Sequence, residues 1–236
     1  MTELFEQTDA DGIKEEKGKP KFLISLFITL SFITLLWMVK LFETITKTEL
    51  SFLGVLPREA KGLIGIVTAP LIHSDFSHLA SNTFTLIVLM IFLFYAYTNS
   101  SFRVFFTVYI FSNVLVWIFG REAYHIGASG VVYGLVTFLF FVGLFRSDSK
   151  SIGLSLVVTF MYGGLVWGVL PTDPKISFEA HLSGAVVGLL AALIFRNRDP
   201  LPEKYKWEDE ETDEDDIDLE EYEKAEKKLK SEEGEI

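Results

Sequence analysis

Six apolar stretches, each long enough to cross a bilayer as a helix, constrain this chain more than any other feature of it. They fall at residues 22–42, 77–97, 102–119, 128–145, 152–170 and 180–195, with short connectors after the second and a long one before it. Lipid offers the backbone no hydrogen-bond partner, so such segments are helical, and the predicted fold class is an all-α integral membrane protein with six transmembrane helices. Half of the 236 residues are hydrophobic and 22 are Phe, a balance unlike that of a soluble domain. Cysteine is absent, which excludes disulfides, a thiolate nucleophile and Cys-based metal sites. The formal net charge of −11 is local: residues 207–236 carry 16 acidic and 4 basic side chains, and the rest is nearly neutral.

Three parts follow: a cytoplasmic N-terminal tail at 1–21, a membrane domain at 22–196 and an acidic cytoplasmic tail at 197–236 that buries too little apolar surface to fold alone. The first tail lacks the short apolar core of a cleavable signal peptide, so the first span is expected to stay as an anchor, with Lys40 snorkelling to the headgroups. Residues 43–70 mix apolar clusters with charges, Gly54, Gly62, Gly65 and Pro57, and suit the membrane interface. Within the acidic tail, residues 217–233 have favourable i, i+4 pairs such as Glu220 with Lys224, a marginal helix at best beside the reading as a solvated tail. Six spans put both termini on one side, and 11 basic residues flank that side against five on the other, which predicts cytoplasmic termini.

Ionisable groups at membrane depth are costly, so the four histidines are informative. Topology makes spans two, four and six run in the same direction, and their first turns carry His78 and Asn82, Ser129, and His181. His78 and Asn82, four residues apart, share one helix face. Gly130 with Gly134 and Gly184 with Gly188 are small-xxx-small pairs that let spans four and six approach closely. Gly127 suits a tight turn into span four. A serine hydroxyl needs a base, and neutral imidazole serves near pH 7, so Ser129 and His181 suggest nucleophile and general base. The Ser129 N–H, Asn82 amide and a His78 N–H would supply oxyanion donors. Asp75, Glu122 and Glu179 are read as loop residues with no evident hold on His181, which predicts a dyad rather than a triad. His73 is read as a structural hydrogen bond or cap that points elsewhere.

His73-x4-His78-x3-Asn82, Gly127-Ala128-Ser129-Gly130 and Ala180-His181-Leu182-Ser183-Gly184 with Gly188, in this order, resemble the rhomboid intramembrane serine proteases. The resemblance covers residues 22–196 and implies a six-transmembrane-helix rhomboid-like bundle. It implies Ser129 as nucleophile, His181 as base, and His78 and Asn82 as oxyanion donors, with Tyr133 packing on His181. It further implies cleavage of transmembrane protein substrates near the outer face, without metal or cofactor. The partners expected are those substrates and the lipid bilayer, not nucleic acid, in a prokaryotic cytoplasmic membrane. Many relatives carry a Trp-Arg pair in the first loop where this chain has Ile64 and Gly65, which puts the loop's anchoring in question. Two other readings are a non-proteolytic membrane factor of the same fold, whose members usually lack the serine or histidine, and a metal channel using His73, Asp75, His78 and His181.

Overall fold

The computed structural model describes residues 3–171 and 176–201, with side chains described from Lys19 onward. The helices are α1 (Glu3–Thr46), α2 (Phe76–Ala96), α3 (Ser101–Phe119), α4 (Ser129–Arg146), α5 (Ser149–Tyr162) and α6 (Phe178–Phe195). Each provides a segment long and apolar enough to cross a membrane, Lys19–Thr46 within α1 and Ser149–Val169 from α5 onward. Among the described residues there is no strand, only a single antiparallel bridge between Val55 and His125. The acidic stretch 207–236 lies outside the described residues.

The spans fall where the hydropathy pattern puts them, with two differences. The α1 backbone is helical from Glu3, through most of the expected polar tail. Glu, Lys and Gln are good helix formers, and a helix already nucleated extends at little cost. The fifth span changes character at Gly163 and Gly164, where the α-helix gives way to a tighter 3-10 stretch, Gly163–Val169. Adjacent glycines weaken α-helix and tolerate the narrower winding.

Packing inverts the soluble pattern. On α6, Gly184, Gly188, Ala191 and Ala192 are buried, while Leu182, Val186, Leu190 and Ile194 are exposed on the outer surface of the bundle. Association in lipid relies on close van der Waals fit, so small residues face neighbours and large ones face acyl chains. A Cβ on Gly184 would lie 2.1 Å from the Gly130 carbonyl oxygen, and one on Gly188 2.2 Å from that of Gly134. The two glycine pairs therefore bring α4 and α6 into backbone contact. α4 is the central element, packing on α2, α3, α5 and α6.

Between α1 and α2 the chain forms short turns, Ser51–Leu53, Ala60–Ile64, Gly65–Thr68 and Ala69–Leu71. Without a Trp-Arg pair, this loop is anchored by other bonds. Thr68 Oγ1 donates to the Leu53 carbonyl at 2.5 Å, and Arg58 donates to the Gly120 carbonyl at 2.8 Å. The Trp117 indole donates to the Glu59 carbonyl at 3.0 Å, and Tyr109 Oη to the Val67 carbonyl at 2.6 Å. Gly65 sits where a Cβ would meet the Gly54 and Val55 backbone within 2.3 Å, which leaves no room for a side chain.

Lys40 corrects another expectation. Its ammonium does not extend from the surface; it is buried, donating to Glu43 Oε2 at 2.7 Å and to the His73 and Ser74 carbonyls at 2.9 and 3.0 Å. Three oxygen acceptors offset the cost of withdrawing the charge from water.

The glycine contact predicts that Gly184→Val destabilises the bundle by about 2–3 kcal/mol, because the obstacle is backbone and cannot swing aside. Gly153→Ala is the control, since nothing lies within 4 Å of that position. Thermal unfolding in detergent checks both: the first variant loses stability and the second does not.

Candidate active site

The N-terminal ends of α2, α4 and α6 meet at one end of the bundle around a cavity of about 370 Å³, lined among others by Ser74, His78, Tyr124, Ser129, Ser177 and His181. Ser129 is half-buried and is the first residue of α4, where backbone N–H groups have no intrahelical acceptor. The turn before it passes through Gly127, with φ +107°, in the left-handed region that glycine tolerates. Two bonds hold this turn: Gly127 N–H donates to the Ala69 carbonyl at 2.9 Å, and Ala128 N–H to His73 Nε2 at 3.4 Å.

His181 lies in the first turns of α6, behind the Ser177 N-cap, whose side chain accepts from Ala180 N–H. Its Nδ1 is 2.8 Å from the Gly168 carbonyl oxygen. A carbonyl only accepts, so Nδ1 carries the proton, and in the neutral ring Nε2 is left with a free lone pair. The Tyr133 ring stacks on the imidazole, with centroids 4.1 Å apart and planes 9° from parallel. A Cβ on Gly168 would lie 1.8 Å from Tyr133 Oη, so any side chain here would displace the tyrosine that stacks on His181. Gly168 was not singled out in the sequence, where it is one more glycine in an apolar run.

His78 and Asn82 stand one turn apart on α2 and converge on the turn that precedes Ser129. The point a Gly127 Cβ would occupy is 2.7 Å from His78 Cε1, 2.9 Å from His78 Nε2 and 3.9 Å from Asn82 Nδ2. Asn82 Nδ2 is buried and has no hydrogen-bond partner, a costly state for a donor. Ser74 Oγ lies 3.2 Å from His78 Nδ1 and 2.8 Å from Asp75 Oδ2, so its single proton serves either contact.

The acidic residues are structural. Asp75 caps α2, accepting from His78 N–H at 2.8 Å, and that bond holds its carboxyl below the usual carboxylate range. Glu179 lies in the first turn of α6 rather than in a loop and pairs with Arg121 at 3.6 Å. The His181 ring is thus oriented by a backbone carbonyl and not by a carboxylate. No group of three or more His, Asp or Glu among the described residues is arranged to hold a metal.

The other two histidines brace the site. His73 does not point elsewhere: it is buried, its ring meets that of His78 edge-on at 5.0 Å, and it accepts from Ala128 N–H. Burial, aided by the nearby His78, pushes its pKa down to about 4, so the ring stays neutral and keeps the lone pair this bond needs. His125 Nε2 faces the Arg121 carbonyl at 3.1 Å and therefore carries the proton, which leaves Nδ1 to accept from the Ser177 hydroxyl at 2.6 Å. Burial lowers its pKa also. With its backbone paired to Val55, His125 links the first loop, the α3–α4 loop and the start of α6.

Comparison with known proteins adds a second line of observation. Residues 60–198 match the model of the Rhomboid domain. An uncharacterized protein of Mycobacterium tuberculosis is 32% identical over 185 residues, spanning 75% of this chain and 77% of its own. An uncharacterized protein of Mycobacterium leprae is 31% identical over 189 residues, covering 76% and 75%. A putative rhomboid protein of Acanthamoeba polyphaga mimivirus is 28% identical over 145 residues, covering 55% of this chain and 71% of its own. The six membrane-spanning helices and a domain match over more than half of the chain agree, and the protein belongs to the rhomboid family.

Proposed function

We propose that this protein is an intramembrane serine endopeptidase that hydrolyses peptide bonds in or beside transmembrane segments of other membrane proteins. The observation that carries the reading is the His181 ring: with Nδ1–H committed to the Gly168 carbonyl and one face covered by Tyr133, its Nε2 is the free base on the cavity that Ser129 lines. Family membership supports the same chemistry.

In this reading Ser129 Oγ attacks the scissile carbonyl carbon while its proton passes to His181 Nε2. The carbonyl π bond becomes an oxyanion, received by the Ser129 N–H, the unpartnered Asn82 amide and His78 Nε2–H. The last donor requires the Ser74 hydroxyl to donate to His78 Nδ1, which the 3.2 Å contact permits. Collapse of the tetrahedral species breaks the C–N bond, and the leaving amine takes the proton from His181. Water then attacks the acyl-enzyme by the same route and regenerates Ser129. All groups are neutral before reaction, so each transient charge is stabilised by fixed dipoles in dry surroundings. With both termini in the cytoplasm, the cavity faces the outer side of a prokaryotic cytoplasmic membrane.

Purified protein in liposomes is expected to cleave a helical reporter substrate, and Ser129→Ala and His181→Ala to abolish cleavage while melting normally. A fluorophosphonate is expected to label native protein and not Ser129→Ala. Cleavage retained by the Ser129→Ala protein removes the dyad.

Gly127→Ala tests the convergence of His78 and Asn82. The added methyl meets the His78 ring at 2.7 Å and carries a disfavoured φ. Strain of about 1–3 kcal/mol and a displaced donor are expected, with kcat lowered about 10- to 100-fold and labelling of Ser129 slowed. Rates unchanged within about twofold would remove His78 from the oxyanion pocket.

A further inference from the structure

We propose that Lys40 is a positioning residue for the reaction: from α1 it holds the backbone of residues 73–75, which sets both the His78 ring and the turn that presents Ser129. The inference rests on the catalytic reading above and assigns a role to a helix that supplies no group to the cavity.

The residues involved form a short, continuous chain of bonds. Lys40 Nζ donates to the His73 carbonyl at 2.9 Å and the Ser74 carbonyl at 3.0 Å. Its third proton goes to Glu43 Oε2 at 2.7 Å, and Glu43 Oε1 accepts from Leu50 N–H at 3.0 Å. One ammonium thus ties the beginning of the first loop to its end. From the anchored pair, two arms reach the site. Ser74 Oγ contacts His78 Nδ1 at 3.2 Å, and the proton on that contact selects whether His78 Nε2 donates or accepts. His73 Nε2 accepts from Ala128 N–H, the residue before Ser129.

The cost of the arrangement indicates selection for geometry. Two ionised side chains withdrawn from water stabilise a fold little compared with apolar packing of the same volume, whereas they fix position sharply through directional bonds. The rest of the α1–α2 contact shows what packing supplies without them. Ile33 and Leu36 are buried there, and Trp37 Nε1 donates to Thr83 Oγ1 at 3.1 Å. Lys40 occupies the next position along this face and meets the loop, where the buried His73 ring and the Asp75 cap hold side chains of residues 73–75 and the ammonium alone holds the His73 and Ser74 carbonyls from α1. Its removal leaves the helices packed and releases those two carbonyls.

The test compares native protein with Lys40→Met/Glu43→Gln, in which neither charge is left buried alone, and with Glu43→Gln, which keeps the bonds to both carbonyls. Melting temperature in detergent, kcat and KM on the helical reporter, and ring ¹⁵N shifts of His78 are measured for each. The double variant is expected to melt within a few degrees of native and to keep KM within about twofold. Its kcat is expected to fall about 10- to 100-fold, the scale set by an ångström of misplacement. Its His78 ring shifts should indicate a changed tautomer balance, while Glu43→Gln keeps kcat within about threefold. A double variant with native kcat and native His78 shifts overturns the proposal, as does one whose kcat loss appears only with loss of melting temperature. If native protein itself fails to cleave, the proposed function falls, and the His78 shifts still decide whether Lys40 positions the ring.

Discussion

In lipid, helices gain nothing by hiding apolar surface from their solvent, so their separation is decided by what their side chains allow. Where α4 and α6 come closest, Gly130 and Gly134 face Gly184 and Gly188, and backbone touches backbone. Ser129 is next to the first of these glycines and His181 is one turn before the third. Ser129 and His181 line one cavity where these two helices touch. Larger residues at Gly184 or Gly188 would meet backbone and push the helices, and with them the two side chains, apart. Stability and geometry are therefore set at the same contact.

A second constraint acts on protons. The site has three rings held by neutral partners: His181 by a carbonyl, His125 by a carbonyl and a hydroxyl, and His73 by a backbone N–H. Together these partners favour one arrangement of each ring proton, and burial lowers the pKa of both His73 and His125. A carboxylate behind His181 would bring a fixed charge into the dry end of the bundle, at a desolvation cost the backbone carbonyl avoids. The Gly168 carbonyl fixes the tautomer as well as a carboxylate does, though it would stabilise a charged imidazolium less. Asp75 and Glu179 are close in sequence to His78 and His181 and serve instead as a helix cap and a partly buried ion pair with Arg121.

The six spans, the shared level of His78, Asn82, Ser129 and His181, and the two glycine pairs were all legible because each follows from hydropathy or helix periodicity. What escaped the sequence is contact between segments without a period. Lys40 near a helix end reads as a snorkelling side chain, since nothing local says that two carbonyls from residues 73 and 74 will arrive beside it. His73 reads as a structural hydrogen bond or cap that points elsewhere; the hydrogen bond is there, but the loop folds the ring under the turn before Ser129. Ile64 and Gly65 put the first loop's anchoring in question, and the bonds that hold the loop come from Arg58, Thr68, Tyr109 and Trp117, residues scattered over two elements. Gly168 carries the same lesson, since its value lies in a backbone carbonyl, a group that any residue possesses and no sequence pattern marks.

That carbonyl also joins the least and most firmly held parts of the bundle. The span from Ser149 to Val169 is the least buried of the six, and α4 is the most buried. Phe160, Val166 and Trp167 lie on the exposed surface of the fifth span, and around Gly153 and Gly164 nothing packs closely. Gly168 lies at the end of this span, in 3-10 geometry whose hydrogen bonds are weaker than those of an α-helix. One hydrogen bond of about 1 kcal/mol net and the Tyr133 contact thus link the orientation of His181 to the segment with least packing to restrain it. The helix that begins at Ser129 is fixed by backbone contact, whereas the His181 ring takes its proton placement from the least buried span, so the most and the least packed parts of the bundle meet on a single imidazole.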